Sequence, residues 1–168
     1  MNEAVIAGRG AGGMQPASVA RVIALLLPLA LLGGALGSQY LGGLHPCEMC
    51  IWQRWPHGVA IVLAALAFTA PAESGRSRAL TLLAALAIAV SGAIGVYHAG
   101  VEAHVFKGFT TCTATGARTL QEILNTPLVR CDQIQFSFLG ISMAGWNAIL
   151  SLSGAAAILF LSFKGRRA

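Results

Sequence analysis

Charge is what this chain has least of. Only 17 of its 168 side chains are ionic at neutral pH, 11 basic and six acidic. A soluble globular domain carries about 25% charged residues, so that class is excluded. Intrinsic disorder is excluded too, because it needs low hydrophobicity and this chain is 56% hydrophobic. Strict apolar–polar alternation is missing from the long runs of Leu, Ala, Ile and Val, which argues against a transmembrane β-barrel. Nor are the basic residues interleaved with an aromatic groove, so the net charge of +5 gives no nucleic-acid signal.

What is present is a set of charge-free stretches. Val22 to Cys47 spans 26 residues, Trp55 to Ala72 spans 18, Ala79 to Val101 spans 23 and Gln133 to Phe163 spans 31. About 20 apolar residues cross about 30 Å of hydrocarbon as a helix. The pattern predicts an all-α integral membrane protein, a four-helix transmembrane bundle with helices at about 20–38, 50–69, 79–99 and 138–161. Two short loops, about 39–49 and 100–137, join them on one face. A loose Gly-rich tail (1–18) and a basic tail (164–168) lie on the other. The first stretch is too long for a signal-peptide core and is read as a retained span.

Basic residues orient the bundle. Arg9, Arg21, Arg76, Arg78, Lys164, Arg166 and Arg167 all fall on the face that carries the termini. Positive-inside bias places that face in the cytoplasm. The opposite face holds all four cysteines, Cys47, Cys50, Cys112 and Cys131. In a bacterial inner membrane it is the oxidising side, where disulfides persist.

An even number of cysteines in that compartment favours two disulfides, and three pairings are possible. The Cys-x-x-Cys pair CEMC closes too small a loop to be much of a staple, and such pairs are usually redox-active or metal ligands. Cys112 and Cys131 enclose 18 residues, a loop for which a disulfide contributes roughly 3 kcal/mol in the chain-entropy model. Pro46 puts CEMC in the opening turn of the second helix, where free N–H groups and the helix dipole favour a thiolate. Within 112–131, Leu120, Ile123 and Leu124 recur at helical spacing, which predicts a short amphipathic turn. Arg54 follows Cys50 by one turn. Buried arginine costs about 2.5–3.5 kcal/mol in a span, so Arg54 either snorkels or holds a polar, lipid-soluble head group such as a quinone carbonyl. Trp52 and Trp55 read as interfacial belt. His98 and Glu102 share one helical face and suit a mutual pair. No metal is expected: there is one CxxC, not two, and the other cysteines are too far apart for a knuckle. CEMC is followed by Ile51, not His, which excludes c-type haem attachment.

Three strings, HPCEMCIWQRWPH, GVYHAGVE and CDQIQFSFLGISMAGWNA, occur in this order. Together they resemble the disulfide bond formation protein B (DsbB) family of quinone-linked membrane thiol oxidases, over about residues 20–162. The resemblance implies a relay of two disulfides, Cys47 with Cys50 and Cys112 with Cys131. It implies that Cys112 meets a periplasmic DsbA-like thiol oxidase of thioredoxin fold, that Cys131 exchanges with Cys47, and that Cys50 faces the quinone. Arg54 falls on the family's quinone-site arginine, and His98 lies near the same region. The implied cofactor is ubiquinone or menaquinone, exchangeable and dissolved in membrane lipid. The quinone pool and respiratory chain are the onward partners. Each step is thiolate attack on a disulfide and so calls for accessible sulfurs.

Three other readings compete. A vitamin K epoxide reductase type has its loop cysteines before the CxxC, the reverse of the order here. A structural four-helix protein would carry inert disulfides. A paralogue serving one dedicated thiol partner has no distinguishing feature in the sequence.

Overall fold

The computed structural model describes residues 14–108, 119, 121 and 129–164. Four helices run through these residues: α1 (Pro16–Tyr40), α2 (Glu48–Ala67), α3 (Gly75–Glu102) and α4 (Met143–Lys164). A small antiparallel hairpin, β1 (Ser137–Phe138) and β2 (Ile141–Ser142), precedes α4. The amphipathic turn expected around Leu120 lies outside the described residues.

The helix ends differ from the sequence expectation for local reasons. Helix α1 starts at Pro16, inside the expected tail, because proline suits a first helical position. Helix α4 starts at Met143, not near 138. Leu139 and Gly140 both take positive φ, 53° and 78°, and form the two-residue turn of the hairpin. The chain therefore doubles back, pairing Ser137 with Ser142, before the helix begins. An unbroken apolar run does not reveal that turn.

Helices α1, α3 and α4 are each long and apolar enough to cross a membrane. Helix α2 is not among them. Gln53, Arg54 and His57 lower its hydropathy over its first half.

The four helices pack in a ring, α3 against α2 and α4, and α1 against the same two. The seam is made of small residues: Ala20 and Ala24, Ala60 and Ala64, Ala84 and Ala85, and Ala155, with Ile88 and Ile158 filling between them. Large apolar side chains such as Leu26, Val62, Leu86 and Phe160 point outward. This inverts the plan of a water-soluble bundle and suits helices that meet through close backbone contact in lipid. Gly95 marks a close approach of two helix backbones. A Cβ there would sit 3.0 Å from Ala144 O and 3.0 Å from Ala148 N of α4.

One end of the ring is tied by arginine. Arg21 donates to Ala70 O at 3.2 Å and lies over the Phe68 ring, and Arg78 donates to Ser162 O. Ser74 caps α3 there by accepting from Ser77 N–H at 3.2 Å. The cysteines lie at the other end.

Candidate active site

Cys47 is the N-cap of α2. Its backbone is extended, and its sulfur accepts the Cys50 N–H at 3.3 Å, so a thiol takes the place a serine or aspartate hydroxyl or carboxylate usually fills. CEMC thus occupies the opening turn, as the sequence predicts. The Cys47 S–H donates to Cys50 Sγ at 2.9 Å. That hydrogen bond first, and burial second, hold the Cys47 thiol far above its ordinary pKa. Cys50, as acceptor, is the sulfur placed to carry negative charge.

Cys131 comes to the same point from the opposite side of the chain. Cys47 Sγ, Cys131 Sγ and a ring nitrogen of His98 all lie within 4.8 Å of one another. Met49, Val101 and Val129 pack around them. Accessible sulfurs were expected, and here the structure differs. Cys47 is 2% exposed and Cys131 6%, while Cys50 is half-buried. The burial follows from packing: Val129 and Cys131 fold down onto the first turn of α2, so the two sulfurs shield each other. Arg130 and Asp132, flanking Cys131, face water and pair at 2.9 Å, and this arginine holds the Asp132 carboxyl below its usual range. Cys112 lies outside the described residues.

His98 is fixed by its neighbours. Gln53 Nε2 donates to His98 Nδ1 at 2.8 Å, so the ring proton sits on Nε2. That N–H faces Cys47 Sγ at 3.5 Å and Glu102 Oε1 at 3.8 Å. The expected His98–Glu102 neighbourhood is therefore present, with the histidine also reaching the cysteine. Two thiols and an imidazole are a donor set for a soft cation. As built, His98 presents its N–H to Cys47, and Cys47 donates to Cys50.

Arg54 is half-buried. It turns to α1, where Nη1 donates to Gln39 Oε1 at 2.5 Å and Nη2 to Ala35 O at 3.3 Å. Its Nε is buried with no partner. Beside it opens a cavity of about 630 Å³, mostly apolar, whose wall includes Cys50, Arg54, His57, His98 and Trp146. An apolar chamber with a few convergent polar groups is the usual form of a small-molecule site. A quinone head group fits the residues present: the buried, unpartnered Arg54 Nε is a donor, and the chamber is large enough for a substituted ring. Trp52 and Trp55 are exposed, as belt residues would be.

Several residues of the site were not singled out by sequence. Asn147 of α4 donates to Gln53 Oε1 at 2.8 Å, and its Oδ1 accepts from His57 Nε2 at 2.9 Å and from Ser151 Oγ at 2.9 Å. Ser91 of α3 donates to Gln53 O at 2.8 Å and lies 2.9 Å from His57 Nε2. A buried polar line therefore runs Cys47–His98–Gln53–Asn147–His57. Its signal in the sequence is the stripe Cys50, Gln53, Arg54, His57, polar at helical spacing inside an otherwise apolar run. Ser91 on α3 and Asn147 on α4 carry no such mark.

The profile of the family described as disulfide bond formation protein DsbB matches residues 17–161. The chain belongs to the DsbB family. Its DsbB relatives include disulfide bond formation protein B 1 of Pseudomonas putida, 32% identical over 84% of this chain and 88% of that protein. Disulfide bond formation protein B of Methylococcus capsulatus is 33% identical over 82% of this chain and 90% of that protein. Disulfide bond formation protein B 1 of Pseudomonas entomophila is 35% identical over 74% and 71%. No solved structure matches the chain. DsbB proteins are membrane oxidoreductases of disulfide formation, and three helices here are fit to span a membrane.

Proposed function

We propose that this DsbB-family protein is a quinone-linked thiol oxidase that reoxidises a periplasmic DsbA-like dithiol protein. The observation that carries the reading is the sharing of one apolar cavity by Cys50 and Arg54, directly beside the contact between Cys47 and Cys131. In this reading α2 is a fourth span, both termini are cytoplasmic and the four cysteines face the periplasm of a bacterial inner membrane. The clustering of Arg21 and Arg78 at the end opposite the cysteines supports that orientation.

The relay is the one the family resemblance implies, and the nearness of Cys131 to Cys47 supports its second exchange. The partner's thiolate attacks Cys112 of the Cys112–Cys131 disulfide, releasing Cys131 as a thiolate. The second partner thiol then resolves the mixed disulfide, and the partner leaves oxidised. Cys131 attacks Cys47 across the short gap between them, breaking the Cys47–Cys50 bond and leaving Cys50 as the thiolate. The free N–H groups of the α2 N-terminus stabilise charge on Cys50. His98 Nε2–H, facing Cys47, supports negative charge on that sulfur during exchange. Arg54 supplies a fixed cation in the cavity wall to hold a head-group oxygen. Ubiquinone or menaquinone, when bound, supplies the acceptor for two electrons and two protons. Cys112 attacks Cys131, recloses that disulfide and releases Cys47, and Cys47 and Cys50 would close again by giving up their two electrons to the acceptor.

The test is anaerobic turnover of the purified protein with a water-soluble quinone and a reduced thioredoxin-fold partner, read as loss of quinone absorbance. Multiple turnovers that vanish in Cys50→Ser are expected. Intact disulfides with no quinone consumption would instead mean that the cysteines are staples.

A further inference from the structure

Resting on the quinone reading above, we infer that His57 is a second head-group contact, one that recognises the reduced product and not the oxidised substrate. His57 is 3% exposed and forms part of the wall of the same cavity as Cys50 and Arg54. Its ring is held by a hydrogen-bond chain that leaves little freedom. Gln53 spends both amide hydrogens, on Met49 O at 3.1 Å and on His98 Nδ1. Its Oε1 must therefore accept from Asn147 Nδ2, which turns Asn147 Oδ1 toward His57. An oxygen there requires the proton on His57 Nε2. The remaining ring nitrogen, Nδ1, is then a bare acceptor, and it is buried with no partner in the protein.

The cavity thus has walls of opposite hydrogen-bonding character. Arg54 can only donate, and neutral His57 with its proton on Nε2 can only accept at Nδ1. A quinone presents carbonyl oxygens, which match Arg54 and offer nothing to His57. Its reduction by two electrons and two protons converts both carbonyls to hydroxyls, and a hydroxyl donates to Nδ1. One proton comes with the remaining thiol and the other, released when Cys50 became the thiolate, is taken up again from water, so the stoichiometry is complete. His57 binds quinol selectively, and selective binding of the reduced form draws electrons toward the quinone. A buried acceptor that gains a partner in one redox state only is the physical source of the discrimination.

Binding can be measured without chemistry in full-length Cys50→Ser protein. Quenching of tryptophan fluorescence, anaerobically, gives separate Kd values for a short-chain ubiquinone analogue and for its quinol. Placing His57→Phe in this background is expected to weaken quinol binding about tenfold while quinone binding changes less than about twofold. Asn147→Leu, which frees the His57 tautomer, is expected to lower the quinol preference by about threefold, and serves where His57→Phe fails to fold. Equal weakening of both ligands, or no change in either, overturns the inference and leaves the quinone site standing. Failure of the Cys50→Ser protein to bind either ligand overturns the quinone reading itself, and the inference with it.

Discussion

Two half-buried arginines sit at opposite ends of the same bundle, and each has a buried Nε without a partner. Arg21 lies against the Phe68 ring at 4.6 Å and donates to Ala70 O, so it closes the space where α2 ends. Arg54 donates to Gln39 and Ala35 of α1 and lines a cavity of about 630 Å³ that also contains Cys50. At Arg21's end of the ring, the pocket bordered by Arg78 measures only about 20 Å³. The same side chain is a clasp at one end and a wall at the other, and the difference lies in what faces it. Conserving charge alone would not make the two ends equivalent, because only one has a nucleophilic sulfur and room for a ring.

That contrast can be broken in graded ways. The largest effect belongs to Cys50→Ser, which is expected to drop quinone reduction below detection while leaving the helix content by circular dichroism unchanged. Cys112→Ser should stop turnover of the dithiol partner yet leave Cys47 and Cys50 oxidisable by quinone, read by thiol alkylation and mass shift. Arg54→Ala is expected to raise the apparent quinone KM roughly ten- to hundredfold, the worth of one charge-assisted hydrogen bond, in steady-state assays with varied quinone. Gly95→Ala should destabilise the protein by about 1–3 kcal/mol, because its Cβ meets the α4 backbone, and thermal unfolding in detergent would register it. Smallest is Arg21→Ala, expected to cost about 1 kcal/mol in the same unfolding experiment with quinone KM unchanged. A shift in KM for Arg21→Ala as large as that for Arg54→Ala would erase the distinction between the ends.

These predictions also separate what was legible in the sequence from what was not. Charge-free length identified the helices, and cysteine placement with Arg54 one turn beyond CEMC pointed to the candidate site. Those are properties of single segments. Asn147 and Ser91 were invisible because each is an ordinary small polar residue in its own helix, and only the α2–α3–α4 packing gives it a partner. The burial of Cys47 and Cys131 was missed for a related reason. Each lies in a stretch that reads as a loop or helix start, and their mutual shielding depends on residues 129–131 folding back over α2. The 137–142 hairpin escaped because Leu139, an apolar residue, takes a left-handed conformation that composition does not suggest.

Helix α2 carries Gln53, Arg54 and His57, and their partners belong to three different helices: Gln39 and Ala35 on α1, His98 and Ser91 on α3, and Asn147 on α4. On the four-span reading this makes α2 the segment least able to remain in lipid by its own partitioning. During biosynthesis it emerges second, when only α1 exists to receive its arginine, and the amide and imidazole must wait for α3 and then for Asn147 of the last helix. Completion of the chain is therefore what secures the reactive helix in the bilayer. A ribosome that stops before Asn147 leaves behind a fragment in which Gln53 Oε1 lacks its donor and His57 lacks its amide acceptor.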